Sequence, residues 1–506
     1  MALTRRSAML LAMTMTACGW GDGPIREARG PSVTTGALTL SPIEFAETEY
    51  WMIPTPRRLI PGPRTVDADE GRLRVPMRHA TPGADSIEIH FVRFKSTSET
   101  PGPPIVYLAG GPGGSGTLSS AGDRYDLFQA LRAHGDVIAL DQRGAYLTRP
   151  YLVCPNSWDH PLDQPTGVSV VRQAITPFLE SCSAHWSDSV DLQAFTTRES
   201  AADLDALRVA LGAERLVLWG ISYGTHLALA YLRQFPDRAA AAILAGIEGP
   251  DHTYKLPANL DRILLRVDSA MQADPALRAA VPDLPGDLRR LLARLETEPE
   301  RLAFVDRETG DTVGVVVGAD DLRRGILNQL GEREDIAEFP ARIIPILRGD
   351  WTAVAPLVAR ARRGTRELAM TIAMDCSSGA SAERRALIRS QARTAILGDA
   401  GNLGLEARCP EWPVEDLGDA FRSPVTSDVP VLFISGTLDI HTPPSNAVEV
   451  RAGFPSSHHL IIEGGSHDDD LLLSSPEILA TMRAFLRGDS GLTERVRLPP
   501  IRFKRP

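Results

Sequence analysis

The sequence predicts an α/β protein in which a mostly parallel sheet is flanked by helices and carries a helical insertion. Three observations lead to this prediction. Short apolar runs that end in glycine or polar residues recur along the chain, stretches with helical spacing lie between them, and the alternation stops over residues 249–424. Strands that alternate with helices form mostly parallel sheets, because a parallel pair needs a long crossover connection.

The apolar runs predict the strands in order, since short runs bounded by turn residues are typical of buried strands. Two opening strands are predicted at 71–76 and 86–94, and later strands at 104–109, 136–140, 216–219, 241–245, 429–435 and 459–462. Helical spacing predicts helices over 199–211 and 225–234.

The stretch 249–424 is rich in Leu, Ala and Arg at helical spacing and is punctuated by prolines, which predicts a mainly helical cap over the strand ends. The chain is then divided into a signal peptide with a lipobox (1–18), a flexible tether (19–40), the first part of the core (41–248), the cap (249–424), the second part of the core (425–490) and a C-terminal tail (491–506).

The N-terminus has the pattern of a secretory signal. Arg5 and Arg6 precede an apolar run over 8–17, which is much shorter than the ~20 residues of a membrane-spanning helix. Met15-Thr16-Ala17-Cys18 is similar to a bacterial lipobox, in which Cys18 carries lipid and becomes the new N-terminus; plain signal cleavage beside an incidental Cys18 is the alternative. We therefore expect an exported protein, either a cell-envelope lipoprotein that contacts the membrane only through its lipid anchor or a periplasmic or secreted protein.

Five cysteines are present. If Cys18 is lipidated, an even number remains, as suits disulfides in an oxidising compartment. Of the three possible pairings, nearest-neighbour pairing keeps each bridge local and joins Cys154 to Cys182 and Cys376 to Cys409; four buried free thiols are the alternative. The cysteines and histidines have no spacing typical of zinc, so neither a metal nor a cofactor is predicted.

Composition excludes other classes of protein. Hydrophobic residues make up 43% of the chain and charged residues 23%, which is ordinary for a globular protein. The net charge is −10 and the Lys and Arg residues form no dense stripe, so nucleic acid is not a predicted partner.

A G-x-S-x-G motif, Gly220-Ile221-Ser222-Tyr223-Gly224, follows one predicted strand and precedes a helical pattern. This strand–turn–helix context is that of a nucleophile elbow, with Ser222 as the nucleophile; a structural serine in a tight turn is the alternative.

A serine nucleophile needs a base, and in such proteins the partners follow in the order Ser, Asp, His. Asp439 and His467 each come just after a predicted strand, in that order. Three other histidines are nearby: His458 and His459 enter the last strand rather than leave it, and His441 is close to Asp439 in sequence. We predict Asp439 as the acid and His467 as the base.

A glycine run at 110–114 follows the predicted strand 104–109. Residues without side chains let backbone N–H groups approach a developing oxyanion. The N–H of Tyr223, the residue after the nucleophile, is the expected second donor. A structural glycine turn is the alternative.

Several motifs together resemble the prolyl and tripeptidyl aminopeptidase family of α/β-hydrolases. They are Gly110-Gly111-Pro112-Gly113, Asp141-Gln142-Arg143-Gly144, Ala201-Ala202-Asp203-Leu204-Asp205, the elbow, the stretch 436–444, Cys409-Pro410-Glu411-Trp412-Pro413 and the final histidine. The resemblance covers most of residues 70–490 and implies the α/β-hydrolase fold, with Gly111 as an oxyanion donor. The chain departs from the family at Ala109, where a histidine is usual, and at Asp468, where a glycine is frequent.

The resemblance implies an exported serine aminopeptidase that releases short N-terminal units from peptides with a free N-terminus through an acyl-enzyme. Such an enzyme needs a carboxylate for the substrate ammonium, and Glu248, just past a predicted strand, is the first candidate, with Asp251 and Asp375 behind it. A carboxylesterase with the same triad and a non-catalytic surface lipoprotein are the alternatives, and the intact triad and glycine run argue against the second.

The run Asp468-Asp469-Asp470 directly follows the predicted base. Nearby carboxylates raise the pKa of an imidazole, which predicts an acid limb above the ordinary histidine value of about 6.5. The alternative is the acidic start of a helix through 471–473.

Overall fold

The computed structural model describes residues 23–28, 30–48, 64–81, 83, 85–307 and 309–505. The predicted signal peptide and Cys18 lie outside the described residues. The strands are β1 (Ile25–Ala28), β2 (Val33–Thr35), β3 (Leu38–Ala46), β4 (Thr65–Pro76), β5 (Ser86–Phe94), β6 (Ile105–Leu108), β7 (Val137–Asp141), β8 (Leu216–Ile221), β9 (Ala239–Ala245), β10 (Glu300–Val305), β11 (Thr312–Val317), β12 (Val431–Gly436), β13 (Ser457–Glu463) and β14 (Arg495–Arg497).

The α-helices are α1 (Gly116–Ala121), α2 (Tyr125–Leu131), α3 (Val168–Ser187), α4 (Thr197–Ala210), α5 (Tyr223–Gln234), α6 (Pro257–Gln272), α7 (Pro275–Ala280), α8 (Leu284–Thr297), α9 (Ala319–Gln329), α10 (Arg333–Leu347), α11 (Val354–Arg362), α12 (Ala369–Ser378), α13 (Ala382–Ala392), α14 (Leu403–Arg408), α15 (Gly418–Arg422), α16 (Pro444–Arg451), α17 (Asp470–Leu473) and α18 (Pro476–Arg487). Short 3₁₀ helices lie at Leu192–Ala194, Pro236–Arg238 and Cys409–Glu411. No helix among the described residues is both long and apolar enough to cross a membrane.

One large sheet organises the molecule, in the order β1-β3-β4-β5-β7-β6-β8-β9-β12-β13-β14, with β2 paired to β3. The strands from β7 to β14 along this order run parallel, and those from β1 to β5 pair antiparallel. The predicted fold class, a mostly parallel sheet flanked by helices, is confirmed.

The central parallel strands are largely apolar because both faces of the sheet are covered there. All residues of β6, β7, β8 and β12 are buried. In β6, Val106 and Leu108 belong to the hydrophobic cluster on one face, whereas Ile105 and Tyr107 belong to the cluster on the other. Alternation of side chains between two apolar layers explains why these strands read as continuous apolar runs.

Residues 246–430, called the inserted segment below, connect β9 to its parallel neighbour β12. They contain α6 to α15 and a hairpin, β10–β11, which the helical periodicity did not predict. Their own hydrophobic cluster includes Leu264 and Ile343 and extends onto Leu438 and Ile440, which flank Asp439. This packing lays the inserted segment over the strand ends that carry the predicted site.

Two predicted boundaries need correction. The stretch 19–40 was expected to be a flexible tether, yet from Ile25 on it forms β1 and β2 and enters β3. Leu38 is buried and Thr39 is half-buried. The polar composition of this stretch hid the difference in burial between neighbouring residues of a strand. Threonine itself is frequent in strands. The expected tail 491–506 contributes β14, which pairs with β13 and so covers an otherwise open strand edge.

The cysteines are bonded as Cys154–Cys182 and Cys376–Cys409, the pairing that the sequence predicts. The first bond ties the loop after β7 to α3, and the second ties α12 to the 3₁₀ turn at Cys409–Glu411.

Candidate active site

Ser222 lies at the sharp turn between β8 and α5, as the motif predicts, and has a φ of +53°. The turn demands glycines on both sides. A Cβ on Gly224 would lie 1.9 Å from the carbonyl oxygen of Leu108, and one on Gly220 would lie 2.6 Å from the oxygen of Gly224. A positive φ is costly for a non-glycine residue and is kept where the surroundings enforce it. The crowded backbone thus holds the Ser222 hydroxyl at the strand end.

The structure brings together the three residues that the sequence selects for a triad. His467 Nε2 lies 3.1 Å from Ser222 Oγ, and His467 Nδ1 lies 2.9 Å from Asp439 Oδ2. Asp439 is fully buried, whereas Ser222 and His467 are partly accessible. With Nδ1 protonated and donating to the carboxylate, Nε2 is free to accept the serine proton.

Thr442 completes the environment of Asp439 and was not selected from the sequence. Its hydroxyl donates to Asp439 Oδ2 at 2.6 Å and lies 3.1 Å from His467 Nδ1, while its backbone N–H donates to Asp439 Oδ1 at 2.8 Å. Burial favours the neutral acid, but His467 and these hydrogen bonds lower the pKa of Asp439 to about 2. A threonine three residues after a turn aspartate is the sequence signal that could have found it.

The run after the base combines the two features considered above, since it starts a helix and places a carboxylate near the imidazole. Asp470 begins α17, so the acidic run does start a helix. Asp468 has a φ of +53° and forms an ion pair with Arg124 of the loop before α2. Burial lowers the pKa of His467, yet the carboxylates of Asp439 and Asp468 outweigh it and raise that pKa to about 9.

The glycine run lies directly against the serine. A Cβ on Gly110 would lie 3.0 Å from Ser222 Cβ, and Gly111 has a φ of +117°. Among the described residues, no hydrogen-bond acceptor is found on the N–H of Gly111 or on that of Tyr223. Two unengaged donors beside a hydroxyl have the chemistry of an oxyanion hole, and they are the two that were expected.

Two other residues hold the glycine run from outside. Gln142 Nε2 donates to the carbonyl of Ala109 at 2.9 Å, just before the run. The Thr371 hydroxyl, on α12 of the inserted segment, donates to the carbonyl of Pro112 at 2.7 Å. Gln142 belongs to the motif Asp141-Gln142-Arg143-Gly144 described above, whereas no local sequence pattern indicates a role for Thr371.

The remaining motifs are structural. Arg143 is completely buried and binds Asp203 through two nitrogens, at 2.7 and 2.6 Å. The same guanidinium donates to the carbonyls of Met77 and Ala194. This pair therefore joins α4 to the loop after β7 and carries no chemistry.

The three carboxylates proposed from the sequence for the substrate ammonium already have partners within the protein, and their assignment stays a prediction. Glu248 is buried and its Oε2 accepts from Lys255 Nζ at 2.8 Å, and the ammonium of Lys255 holds the pKa of Glu248 low in spite of burial. Asp375 forms an ion pair with an Arg408 nitrogen at 2.6 Å. Asp251 accepts a hydrogen bond from the Ser381 hydroxyl at 2.6 Å. Sequence position placed these residues correctly after strands or on the inserted segment, but it could not show their partners.

Of the competing histidines, His458 and His459 lie at the start of β13, far along the strand from its C-terminal end. His441 does lie beside the site, with its ring centroid 5.0 Å from that of His467. Burial and the charge of His467 lower the pKa of His441 to about 4, so it is neutral at ordinary pH.

The turn between α9 and α10 reaches the base and was missed by the sequence reasoning. The backbone N–H of His467 donates to the carbonyl of Gly331 at 3.4 Å. The next residue, Glu332, is half-buried, and burial together with the Asp468 carboxylate raises its pKa to about 8 against the opposing effect of His467. Nothing in the local sequence distinguishes Glu332 from other charged residues of the inserted segment.

The fold and this geometry are those of a hydrolase. The chain matches the model of the α/β hydrolase fold family over residues 103–469, more than half of its 506 residues, and belongs to that family.

The curated relatives are named mostly as peptidases. Serine protease Hip1 of Mycobacterium tuberculosis is 31% identical over 189 residues, which are 36% of this chain and 36% of that protein. Tripeptidyl aminopeptidase of Streptomyces lividans is 28% identical over 254 residues, 47% of this chain and 44% of that protein. The chain thus matches less than half the length of these relatives. The solved structure of an esterase from Thermogutta terrifontis is 17% identical at a TM-score of 0.33, covering 82% of this chain and 98% of its own, which is too weak a similarity to bear on function.

Proposed function

We propose that the protein is an exported serine aminopeptidase that releases short N-terminal units from peptides through an acyl-enzyme. The observation that carries the proposal is the hydrogen-bonded series of Ser222, His467 and Asp439 beside two unengaged N–H donors. The names of the curated relatives support a peptidase.

In the proposed reaction, Ser222 Oγ attacks the scissile carbonyl while His467 Nε2 accepts its proton. The charge that develops on the carbonyl oxygen is stabilised by the N–H groups of Gly111 and Tyr223. Asp439 keeps the imidazole in the right tautomer and stabilises its cation, with Thr442 fixing the carboxylate.

Collapse of the tetrahedral intermediate breaks the C–N bond, and His467 gives its proton to the departing amine. The acyl group of the N-terminal unit remains on Ser222 as an ester. Water, deprotonated by the same imidazole, then hydrolyses the ester and restores the serine.

The substrate ammonium needs a carboxylate that is not already neutralised. Glu332 meets this requirement: it is half-buried, it lies next to Gly331 at the base, and among the described residues no ion pair engages it. A positive charge brought beside it would lower its pKa and favour the ionised form. We therefore assign the ammonium to Glu332 in place of Glu248.

The test is a panel of aminoacyl, dipeptidyl and tripeptidyl chromogenic amides, each with a free and with an acetylated N-terminus, run beside short-chain esters. We expect the free-amine peptides to be cleaved with much higher kcat/KM than their acetylated forms. The Glu332→Gln variant should lose most of that preference while hydrolysing acetylated substrates at the wild-type rate.

Glu334→Gln is a suitable control, because Glu334 lies two residues further on and is exposed. Equal rates on free and acetylated amides in the wild type would contradict an aminopeptidase. Hydrolysis confined to the esters would favour a carboxylesterase instead.

A further inference from the structure

A second polar site lies next to the triad, at the seam between the inserted segment and the core. A narrow cavity is lined on one side by Lys255 and Arg384 of the inserted segment and on the other by His441 and Asn446. Because the His441 ring lies 5.0 Å from that of His467, this cavity adjoins the proposed reaction centre. We call it the seam pocket.

Arg384 is the unusual member of the seam pocket. Arg384 is only 7% exposed, and its Nε donates to the carbonyl of Tyr254 at 2.9 Å. Among the described residues, no carboxylate lies within 4.0 Å of its guanidinium and no acceptor is found on its two terminal nitrogens. The terminal N–H groups of Arg384 are therefore available to an acceptor that enters the pocket.

The three carboxylates whose charges act on Arg384 are each bound to another residue. Glu449 pairs with His252 at 3.0 Å, Glu248 with Lys255 at 2.8 Å, and Asp251 accepts hydrogen bonds from Ser381. They moderate the positive potential of the pocket from a distance, but they leave the terminal N–H groups of Arg384 available.

Lys255 adds a second donor. Its Nζ donates to Glu248 Oε2 at 2.8 Å and to the carbonyl of His252 at 3.2 Å, which uses two of its three protons. Its backbone is clamped by the buried Asn402, which accepts from the N–H of Lys255 at 2.7 Å and donates to its carbonyl at 2.9 Å.

Arg384 is also held in place by hydrogen bonds. It stands in the first turn of α13, where its own N–H donates to the N-cap Ser381, and the hydroxyl of Ser381 donates to Asp251 at 2.6 Å. The two cations are therefore placed by the backbone contacts around them. A guanidinium with free terminal N–H groups matches a carboxylate, which it can bind through both oxygens.

We propose that the seam pocket binds a carboxylate of the peptide substrate through Arg384, assisted by Lys255, and so selects acidic substrates. The proposal rests on the proposed function, since it takes the substrate to be a peptide held at Ser222. Two sources offer this chemistry: the free C-terminal carboxylate of a short peptide and the side chain of an Asp or Glu residue.

The experiment compares kcat/KM of the full-length protein for matched peptides. One pair differs only in a C-terminal acid or amide, and the other only in a Glu or Gln side chain. We expect the wild type to prefer the carboxylate form in one of the pairs by roughly 10- to 100-fold, the range of a charge-assisted hydrogen bond. The pair that shows the preference identifies the source of the carboxylate.

Arg384→Gln should abolish that preference, and Arg384→Lys should retain part of it. Arg389→Gln is the matched control, because Arg389 lies on the same helix and is exposed. If Arg384→Gln fails to fold, inhibition of the wild type by succinate but not by succinamide tests the same contact.

Equal kcat/KM for both members of both pairs, with no inhibition by succinate, would overturn the proposal that the seam pocket binds a carboxylate. The proposed function would survive that result, because cleavage and its dependence on a free amine are read from the same peptides independently of their acidic groups.

Discussion

Two residues of the site, Ser222 and Asp468, have positive φ angles, and both stand where the chain leaves a strand end. At Ser222 the turn presents the hydroxyl to His467. At Asp468 it directs the carboxylate to Arg124, which also contacts Asp469 at 3.1 Å. Strained backbone of this kind persists where neighbours enforce it, and here it places a nucleophile and a charge beside one imidazole.

Ser222→Ala should abolish hydrolysis and leave the fold intact. The change removes the attacking oxygen and adds no bulk, so we expect a loss of about four to six orders of magnitude in kcat by comparison with triad knockouts. Steady-state kinetics with the best amide, together with circular dichroism, provides the measurement.

Ser187→Ala, on the exposed end of α3, is the control and should behave as wild type. Residual activity of Ser222→Ala near the wild-type rate would mean that another group is the nucleophile.

The pH profile follows from the charges around His467. Its pKa is raised to about 9, and the protonated imidazole cannot accept the serine proton, so kcat/KM should fall as pH drops below an acid limb well above 6.5. In Asp468→Asn a negative charge is lost, the pKa of His467 falls, and the limb should move to lower pH. Asparagine tolerates a positive φ, so the backbone at this position is retained.

The measurement is the pH dependence of kcat/KM for the wild type and for Asp468→Asn, with Asp489→Asn as a surface control. A limb that stays in place would show that the acidic run only starts α17.

At the scale of elements, the glycine run is held between the sheet and α12. Gln142 fixes its first end from the loop after β7, and Thr371 fixes its middle from the inserted segment. The Cys376–Cys409 bond anchors α12 near its C-terminus. The inserted segment therefore does more than cover the site, since one of its helices positions the run that carries the N–H of Gly111.

Thr371→Val tests this contact. Valine keeps the shape of threonine but cannot donate to the carbonyl of Pro112, so the run loses one restraint. We expect kcat to fall roughly five- to tenfold, which corresponds to about 1 kcal/mol for one hydrogen bond, with KM little changed.

The same substitution at Thr176, whose hydroxyl donates to the carbonyl of Arg172 on α3, is the control. A change in KM alone would assign Thr371 to substrate binding and contradict the positioning role.

At the scale of the whole molecule, one disulfide ties α3 to the loop after β7, and the other closes a loop within the inserted segment. They join residues 28 and 33 apart in sequence. Each closes a loop in the unfolded chain and restricts its freedom, which stabilises the folded state by about 3–4 kcal/mol in the chain-entropy model.

A Cys154→Ala/Cys182→Ala variant should accordingly lose about 3 kcal/mol of unfolding free energy and should melt at a lower temperature. Melting curves with and without reductant provide the measurement, and peptide mapping without reduction identifies the bonds. Free thiols at all four positions in the wild type would contradict both the pairing and the stabilisation.

The sequence by itself determined the parallel sheet, the elbow and the order Ser222, Asp439, His467, because strand periodicity, glycine requirements and residue order are local properties of the chain. It did not determine β1 to β3, whose alternation is diluted by threonine and glycine, or the β10–β11 hairpin. Only the tertiary structure paired Glu248 with Lys255, brought Glu332 to His467 and left Arg384 without a carboxylate partner among the described residues. The charge and hydrogen bonding of a side chain depend on residues far away in sequence, and the fold alone brings those residues together.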